Sequence, residues 1–334
     1  MPSVKVRVAE VIRETADAVS LVLDAQLPYR PGQFMTVRLP GGGARCYSLA
    51  SSPHTGEPMK VTVKRVAGGV GSGWICDSVA PGDELEVLPP AGTFTPPGLD
   101  GDVLLVAGGS GITPVVSIAK SVLAAGRGRV ALLYANRDEE SVIFREELRL
   151  LGVEFAGRLT VVHWLETLQG LPTAAALRAP LAPYAGRDAY LCGPAPLMDA
   201  AEQALRALGG RSVRRERYFS LGDDVFAGRE DRAEPRGGAE PDADDHRLHV
   251  ELDGEEREVA WPAGTPLLDA LLAASVDAPF SCREGACSAC CCRVTKGEVT
   301  MARNEILDRR DLDEGYVLAC QALPVSDAVG VTYS

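Results

Sequence analysis

Four of the nine cysteines in this 334-residue chain carry a spacing that a metal centre could use. Cys282, Cys287 and Cys290 read C-x4-C-x2-C, and 29 residues separate Cys290 from Cys320. With this spacing four thiolates can hold two sulfide-bridged irons as a [2Fe-2S] cluster. The Gly- and Ser-containing loop from Ser281 to Ala289 can wrap such a cluster and turn backbone N–H groups toward its sulfurs. Zinc is the competing reading, but zinc modules usually present two C-x2-C pairs, and here there is one. Cys291 and Cys292 could each replace Cys290 as a ligand. Spacing favours Cys290 and leaves the other two as small strand residues.

A second constellation is Arg45-Cys46-Tyr47-Ser48, which follows Pro31-Gly32-Gln33-Phe34. A flavin needs a cation for its phosphate, an aromatic face for its ring and a hydroxyl near its reactive N5, and Arg45, Tyr47 and Ser48 supply one of each. Alone, the string is weak, since an ordinary strand could carry it. A third is Gly108-Gly-Ser-Gly-Ile-Thr-Pro114, between an apolar strand and a helix. In that context glycines let backbone N–H groups approach a pyrophosphate, although the G-x-G-x-x-G order is absent and a tight strand–helix turn looks the same.

The elements that must position these residues divide the chain in three. Short apolar runs at Lys5–Val11, Ala18–Leu23, Gln33–Leu39, Cys46–Ala50, Lys60–Arg65 and Glu84–Leu88, separated by turns such as Pro81-Gly82, predict an antiparallel β-barrel over residues 1–98. From 99 to 221, strand-like runs (Val103–Ala107, Val130–Tyr134, Leu159–Trp164, Ala189–Cys192) alternate with helix-like stretches (Ile112–Ala125, Ser141–Leu151, Pro196–Leu208). This predicts an α/β doubly wound parallel sheet. Residues 222–247 hold nine acidic and four basic side chains with few large apolar ones, and read as an acidic linker that tethers the third module flexibly. Residues 248–334 carry the cysteines, after a helix for which Thr265 is the expected cap and Pro266 the first position. The net charge of −12 argues against a nucleic-acid partner. The longest apolar runs fall far short of the roughly 20 residues of a membrane span, and Met1–Val11 lacks a signal-peptide run, so a cytoplasmic protein without membrane contact is expected.

The stretch Cys282–Cys290 resembles the cluster loop of plant-type ferredoxin domains, with Ser288 where Gly is more usual. Val61–Lys64 and Gly69–Ser72 resemble the second and third flavin-contact segments of the ferredoxin–NADP reductase superfamily, and Cys192-Gly193-Pro194 with Met198 resembles its C-G-P-x-x-M segment. The whole chain resembles oxygenase reductases, those of 3-ketosteroid 9-alpha-hydroxylase and phenylacetyl-CoA epoxidase systems nearest in appearance. The resemblance implies a flavin barrel, an NAD-binding α/β domain and an α+β β-grasp ferredoxin, acting as a monomer that takes electrons from NADH and delivers them singly to a terminal oxygenase of the Rieske type. It implies that Ser48 orients flavin N5 and Tyr47 stacks. Arg45 and the amides at Gly71 and Ser72 would hold the pyrophosphate, with Val63, Lys64 and Gly69 beside them. Thr113 and Cys192 would place the nicotinamide within a site formed by Gly108, Gly109, Gly111, Pro114, Gly193 and Pro194. Tyr218 or Phe219 would lie near the flavin, and Cys282, Cys287, Cys290 and Cys320 would hold the cluster. FAD is expected rather than FMN, because no Arg stands between Gly68 and Gly73. NADH is expected because Glu166 would repel a 2′-phosphate, while Arg137 leaves NADPH open. Rival readings are a stand-alone flavoenzyme for a small acceptor, a reductase feeding a P450 or di-iron epoxidase, and a zinc-stabilised binding protein.

Overall fold

The computed structural model describes residues 3–218 and 246–333, apart from 253, 281, 282, 284, 286, 305 and 308. The first module comprises strands β1 (Val4–Thr15), β2 (Ala18–Asp24), β3 (Phe34–Arg38), β4 (Ala44–Ser48) and β5 (Met59–Lys64), helix α1 (Val70–Ser78) and strand β6 (Glu84–Ala91). Its strands pair antiparallel in the order β4-β3-β6-β1-β2-β5. Val6 and Val8, Val19, Leu21 and Leu23, and Val61 and Val63 alternate along their strands into one core. A bridge from Leu49 to Val61 joins the outer strands, so the sheet closes on itself. The sequence announces no α1, because its N-cap is Gly69 and no side chain caps it. Burial of Ile75 in the barrel core holds the helix in place.

The second module runs β7 (Val103–Gly108), α2 (Ile112–Ala125), β8 (Val130–Asn136), α3 (Arg145–Glu154), β9 (Leu159–Leu165), α4 (Glu166–Gln169), α5 (Ala174–Leu181), β10 (Asp188–Cys192), α6 (Ala195–Ala207) and β11 (Val213–Glu216). Its five strands are parallel in the order β11-β10-β7-β8-β9. β7 and β8 are buried at every position, as strands covered on both faces must be. α2 and α3 cover one face, and α5 and α6 the other. Chain order reverses between β7 and β10, which opens a crevice at their carboxyl ends.

The third module contains β12 (His246–Leu252), β13 (Glu255–Trp261), α7 (Leu267–Ala273), β14 (Cys291–Lys296), β15 (Val299–Met301), α8 (Arg309–Asp313), β16 (Tyr316–Leu318), β17 (Ala322–Pro324) and β18 (Ala328–Thr332). A mixed sheet in the order β13-β12-β18-β14-β16 buries Leu248, Trp261 and Val329 with Leu267, Leu268 and Leu271 of α7. The cap of α7 is Pro266, one residue later than Thr265-Pro266 implies; the Thr265 carbonyl instead accepts the Trp261 indole N–H at 2.7 Å. Most of the expected linker lies outside the described residues. Its last two residues are a correction: His246 and Arg247 begin β12, because pairing with Trp261 and Ala260 satisfies their backbone. The third module rests on the barrel, where Cys287 and Ala289 pack with Phe34, Ala44, Leu88 and Ala91. Among the described residues no helix is long and apolar enough to cross a membrane.

Candidate functional site

Strand alternation divides the flavin string. Cys46 and Ser48 face a narrow cavity that Phe34, Glu216, Arg217, Tyr218 and Cys287 complete, whereas Arg45 and Tyr47 point to the other side of β4. Tyr47 is half-buried against the barrel core, and burial pushes its phenol well above the ordinary range despite nearby Arg45. A side chain at Gly71 would begin 3.0 Å from Arg45 Cγ and from Leu39, so the absence of one brings the first turn of α1 against the Arg45 stem. At Gly69 it would meet Ser72 Oγ at 2.7 Å. The Ser72 hydroxyl is engaged within the loop, accepting from Val66 N at 3.0 Å. What Gly71 and Ser72 can offer a phosphate is therefore their backbone N–H groups at a helix start. Lys64 pairs with Asp17 at 3.7 Å, and its ammonium lies 3.8 Å from where a side chain at Gly109 would begin. Val63 departs from expectation, since its side chain is packed in the barrel core.

The two nicotinamide segments meet backbone to backbone. A Cβ at Gly111 would stand 2.1 Å from the Cys192 carbonyl oxygen, and one at Gly108 2.8 Å from Pro194. One at Gly193 would stand 2.8 Å from Gly108 N. Glycine at these positions allows the β7–α2 loop and the end of β10 to touch. Thr113, in the first turn of α2, donates to Ser110 O at 3.1 Å, and Pro114 follows it, buried in the same turn. Glu166 opens α4 directly after the carboxyl end of β9, and Arg137, just after β8, pairs with Asp138 at 3.0 Å.

Two residues at and just beyond the end of β11 complete the cleft. The Tyr218 hydroxyl donates to Ser110 O at 3.1 Å and lies 2.8 Å from Thr113 Oγ1. Although 44% of Tyr218 is accessible, its hydroxyl end is enclosed, and burial raises its pKa well above the ordinary value. The Cys192 thiol is pushed up by burial and then by the neighbouring Glu216. Glu216 escapes a reading of the sequence: it ends β11 opposite Cys192, and burial lifts its carboxyl to about 8. Its only sequence signal is an acidic residue closing a strand two positions before Tyr218. Phe219 lies outside the described residues.

In the cluster loop, Cys287, Cys290 and Cys320 are buried thiols, and Cys282 lies outside the described residues. Cys320 N donates to Cys290 Sγ at 3.4 Å, and Gln321 Nε2 donates to Cys320 Sγ at 3.6 Å and to Arg283 O at 2.9 Å. Such donors are the kind that tune a cluster's potential. Cys291 and Cys292 belong to β14, paired with Leu318 and Val317; Cys292 is buried in the module core. Ser288 adopts φ +53°, the left-handed region that glycine enters freely. Among the described residues no three His, Cys, Asp or Glu side chains group closely enough to hold a metal ion.

Comparison with known proteins divides the chain in the same order. Residues 4–95 match the oxidoreductase FAD-binding domain family, 105–203 the oxidoreductase NAD-binding domain family and 250–325 the 2Fe-2S iron-sulfur cluster binding domain family. The chain is similar to the ferredoxin reductase component of 3-ketosteroid-9-alpha-monooxygenase from Rhodococcus rhodochrous, at 50% identity over 99% of this chain and 97% of that protein. It is 33% identical to a component of the 1,2-phenylacetyl-CoA epoxidase of Escherichia coli, over 98% of this chain and 96% of that protein. The solved structure of phthalate dioxygenase reductase superposes with a TM-score of 0.57 at 25% identity, covering 99% of this chain and 98% of that one.

Proposed function

The chain belongs to the family of ferredoxin reductase components of oxygenases, oxidoreductases that use FAD, NADH and a [2Fe-2S] cluster, and on that premise we propose a route through it. When bound, FAD accepts electrons pairwise from NADH and releases them singly to the cluster. The residues present fit these groups in kind: glycines clear the backbone at positions 71, 108 and 111, and three buried thiols, though not drawn together around one metal ion, supply ligand chemistry that two irons would divide. Gly108, Gly109, Gly111, Thr113 and Pro114, with Gly193 and Pro194, cradle the nicotinamide end of NADH, and Cys192 sets its depth. Ser48 presents a hydroxyl toward the flavin's reactive edge, Arg45 and the Gly71 and Ser72 amides bind the pyrophosphate, and Lys64 adds a cation. Glu216, held neutral by burial, keeps a proton beside Cys192 without placing a charge there. Cys282, Cys287, Cys290 and Cys320 hold the two irons.

The observation that carries this route is the single cavity lined by Ser48, Glu216, Tyr218 and Cys287. A hydroxyl of the flavin barrel and a thiol of the cluster loop share one wall, so electrons need cross no other module. The acceptor is a terminal oxygenase, and we take it to be of the Rieske type. A plant-type cluster works near about −400 mV and a Rieske centre between about −150 and +300 mV, so transfer runs downhill. The cytoplasm suits this reading, since it keeps thiols reduced.

The purified protein should be brown-yellow, with one flavin and two irons per chain. Cys290→Ser should lose iron and oxygenase turnover, yet NADH should still bleach its flavin; Cys291→Ser should keep its iron. Zinc in place of iron would sink the reading, and iron lost from Cys291→Ser alone would move the ligand.

A further inference from the structure

Helix α2 carries a polar stripe that, beyond Thr113 at its start, nucleotide binding does not use. Thr113, Ser117, Lys120 and Ser121 fall at offsets of four, seven and eight residues, one face of a helix. That face meets the barrel segment between β4 and β5. Ser117 Oγ donates to Ser51 O at 2.6 Å, and the Ser52 and Ser121 hydroxyls meet at 2.7 Å in full burial. Lys120, only 4% exposed, donates to Glu57 at 2.9 Å and to Glu147 of α3 at 2.8 Å. Lys60, at the start of β5, donates to the other Glu147 oxygen at 2.8 Å and lies over the Phe144 ring. Glu57 is itself held by Ser52 N at 2.8 Å and by Thr55. Two cations and two carboxylates thus balance across the junction of two modules, with Lys120 at its enclosed centre.

We propose that Lys120 is a positioning residue: it locks α2 to the barrel, and so sets where the Gly108–Thr113 loop stands relative to Ser48. The inference rests on the proposed roles of Ser48 and the Gly108–Thr113 loop in the cleft. The geometry is direct. Thr113 lies two turns from Lys120 on the same helix, and Ser48 lies at the end of the strand that leads into Ser51 and Ser52. Neither end of the reaction distance is anchored by the nucleotide groups alone, because those groups sit on different modules. A small rotation of α2 would leave the NADH-binding loop intact and misplace what it holds, and errors of about 1 Å cost on the order of a hundredfold in rate.

The test uses the full-length, flavin-loaded protein in two forms, Lys120→Met and Lys120→Met/Glu147→Gln. The second removes one cation and one carboxylate together, so the junction stays balanced and lacks the excess buried negative charge that would itself destabilise the first. In both, amide hydrogen exchange within residues 50–60 and 112–125 should quicken by about tenfold as the junction loosens. The stopped-flow rate of flavin bleaching at saturating NADH should fall about tenfold or more per bound flavin, while the half-saturating NADH concentration stays within about twofold. Wild-type exchange and a wild-type limiting rate in the double variant would overturn the proposal, and so would an equal loss of NADH affinity, which would mean a damaged loop rather than a displaced one. If NADH fails to bleach the wild-type protein, the functional reading falls alone, because exchange still tests the lock.

Discussion

The cluster loop and the nucleotide cleft are assembled on different terms. In the loop, three of the four proposed ligands fall between Cys282 and Cys290, and each contributes the sulfur of its own side chain. In the cleft, Ser48 comes from β4, Thr113 from α2, Cys192 from β10 and Tyr218 from beyond β11, and they meet because Gly108, Gly111 and Gly193 have no side chains to keep the backbones apart. The loop depends on what is present at a few positions, the cleft on what is missing. A loop of the first kind can absorb a backbone adjustment, whereas contacts between two backbones cannot.

The strongest way to break that comparison is Gly111→Ala. Its Cβ would stand 2.1 Å from Cys192 O and 2.7 Å from Gly193 N, backbone atoms that cannot turn aside. We expect a loss of about 3 kcal/mol or more and of NADH binding, read by thermal unfolding and by titration; wild-type bleaching by NADH would show that the segments need not touch.

A smaller effect separates the cleft's electrostatics from its shape. The buried Glu216 carboxyl titrates near 8 instead of 4.5, so the folded protein keeps a proton that the unfolded chain has released. Its stabilisation is complete below about pH 4.5 and drains away as pH rises through 8. Glu216→Gln keeps the neutral shape without the titration, so its stability relative to the native protein should improve by on the order of 2 kcal/mol between about pH 5 and 6.5. A difference that stays flat with pH would mean the carboxyl is not buried as a neutral acid.

The smallest effect sharpens the other side. Ser288 sits at φ +53°, so Ser288→Gly removes a left-handed strain and loses only a long contact to Thr93 Oγ1 at 3.5 Å. The gain should be below about 1 kcal/mol, since glycine also frees the unfolded chain, with iron content unchanged. Iron loss from this variant would give the hydroxyl a role in holding the cluster.

The loop's character was legible in the residues themselves because thiol spacing is covalent: C-x4-C-x2-C specifies reach whatever surrounds it. Apolar alternation likewise marked the barrel strands, and the run Ile112–Ala125 matched α2 end to end, because side-chain periodicity is a local property. Other features waited for the tertiary structure. Val63 reads as a flavin contact but turns into the barrel, since strand pairing decides which alternate residues face inward. Helix α1 has no capping side chain to announce it and is kept by Ile75 in the core. Glu216 and Lys120 look like ordinary surface charges in the chain. One becomes a neutral acid beside Cys192 and the other a buried cation between two modules, because desolvation and long-range ion pairing depend on which elements pack together, and that is settled only when β10 meets β11 and α2 meets the barrel.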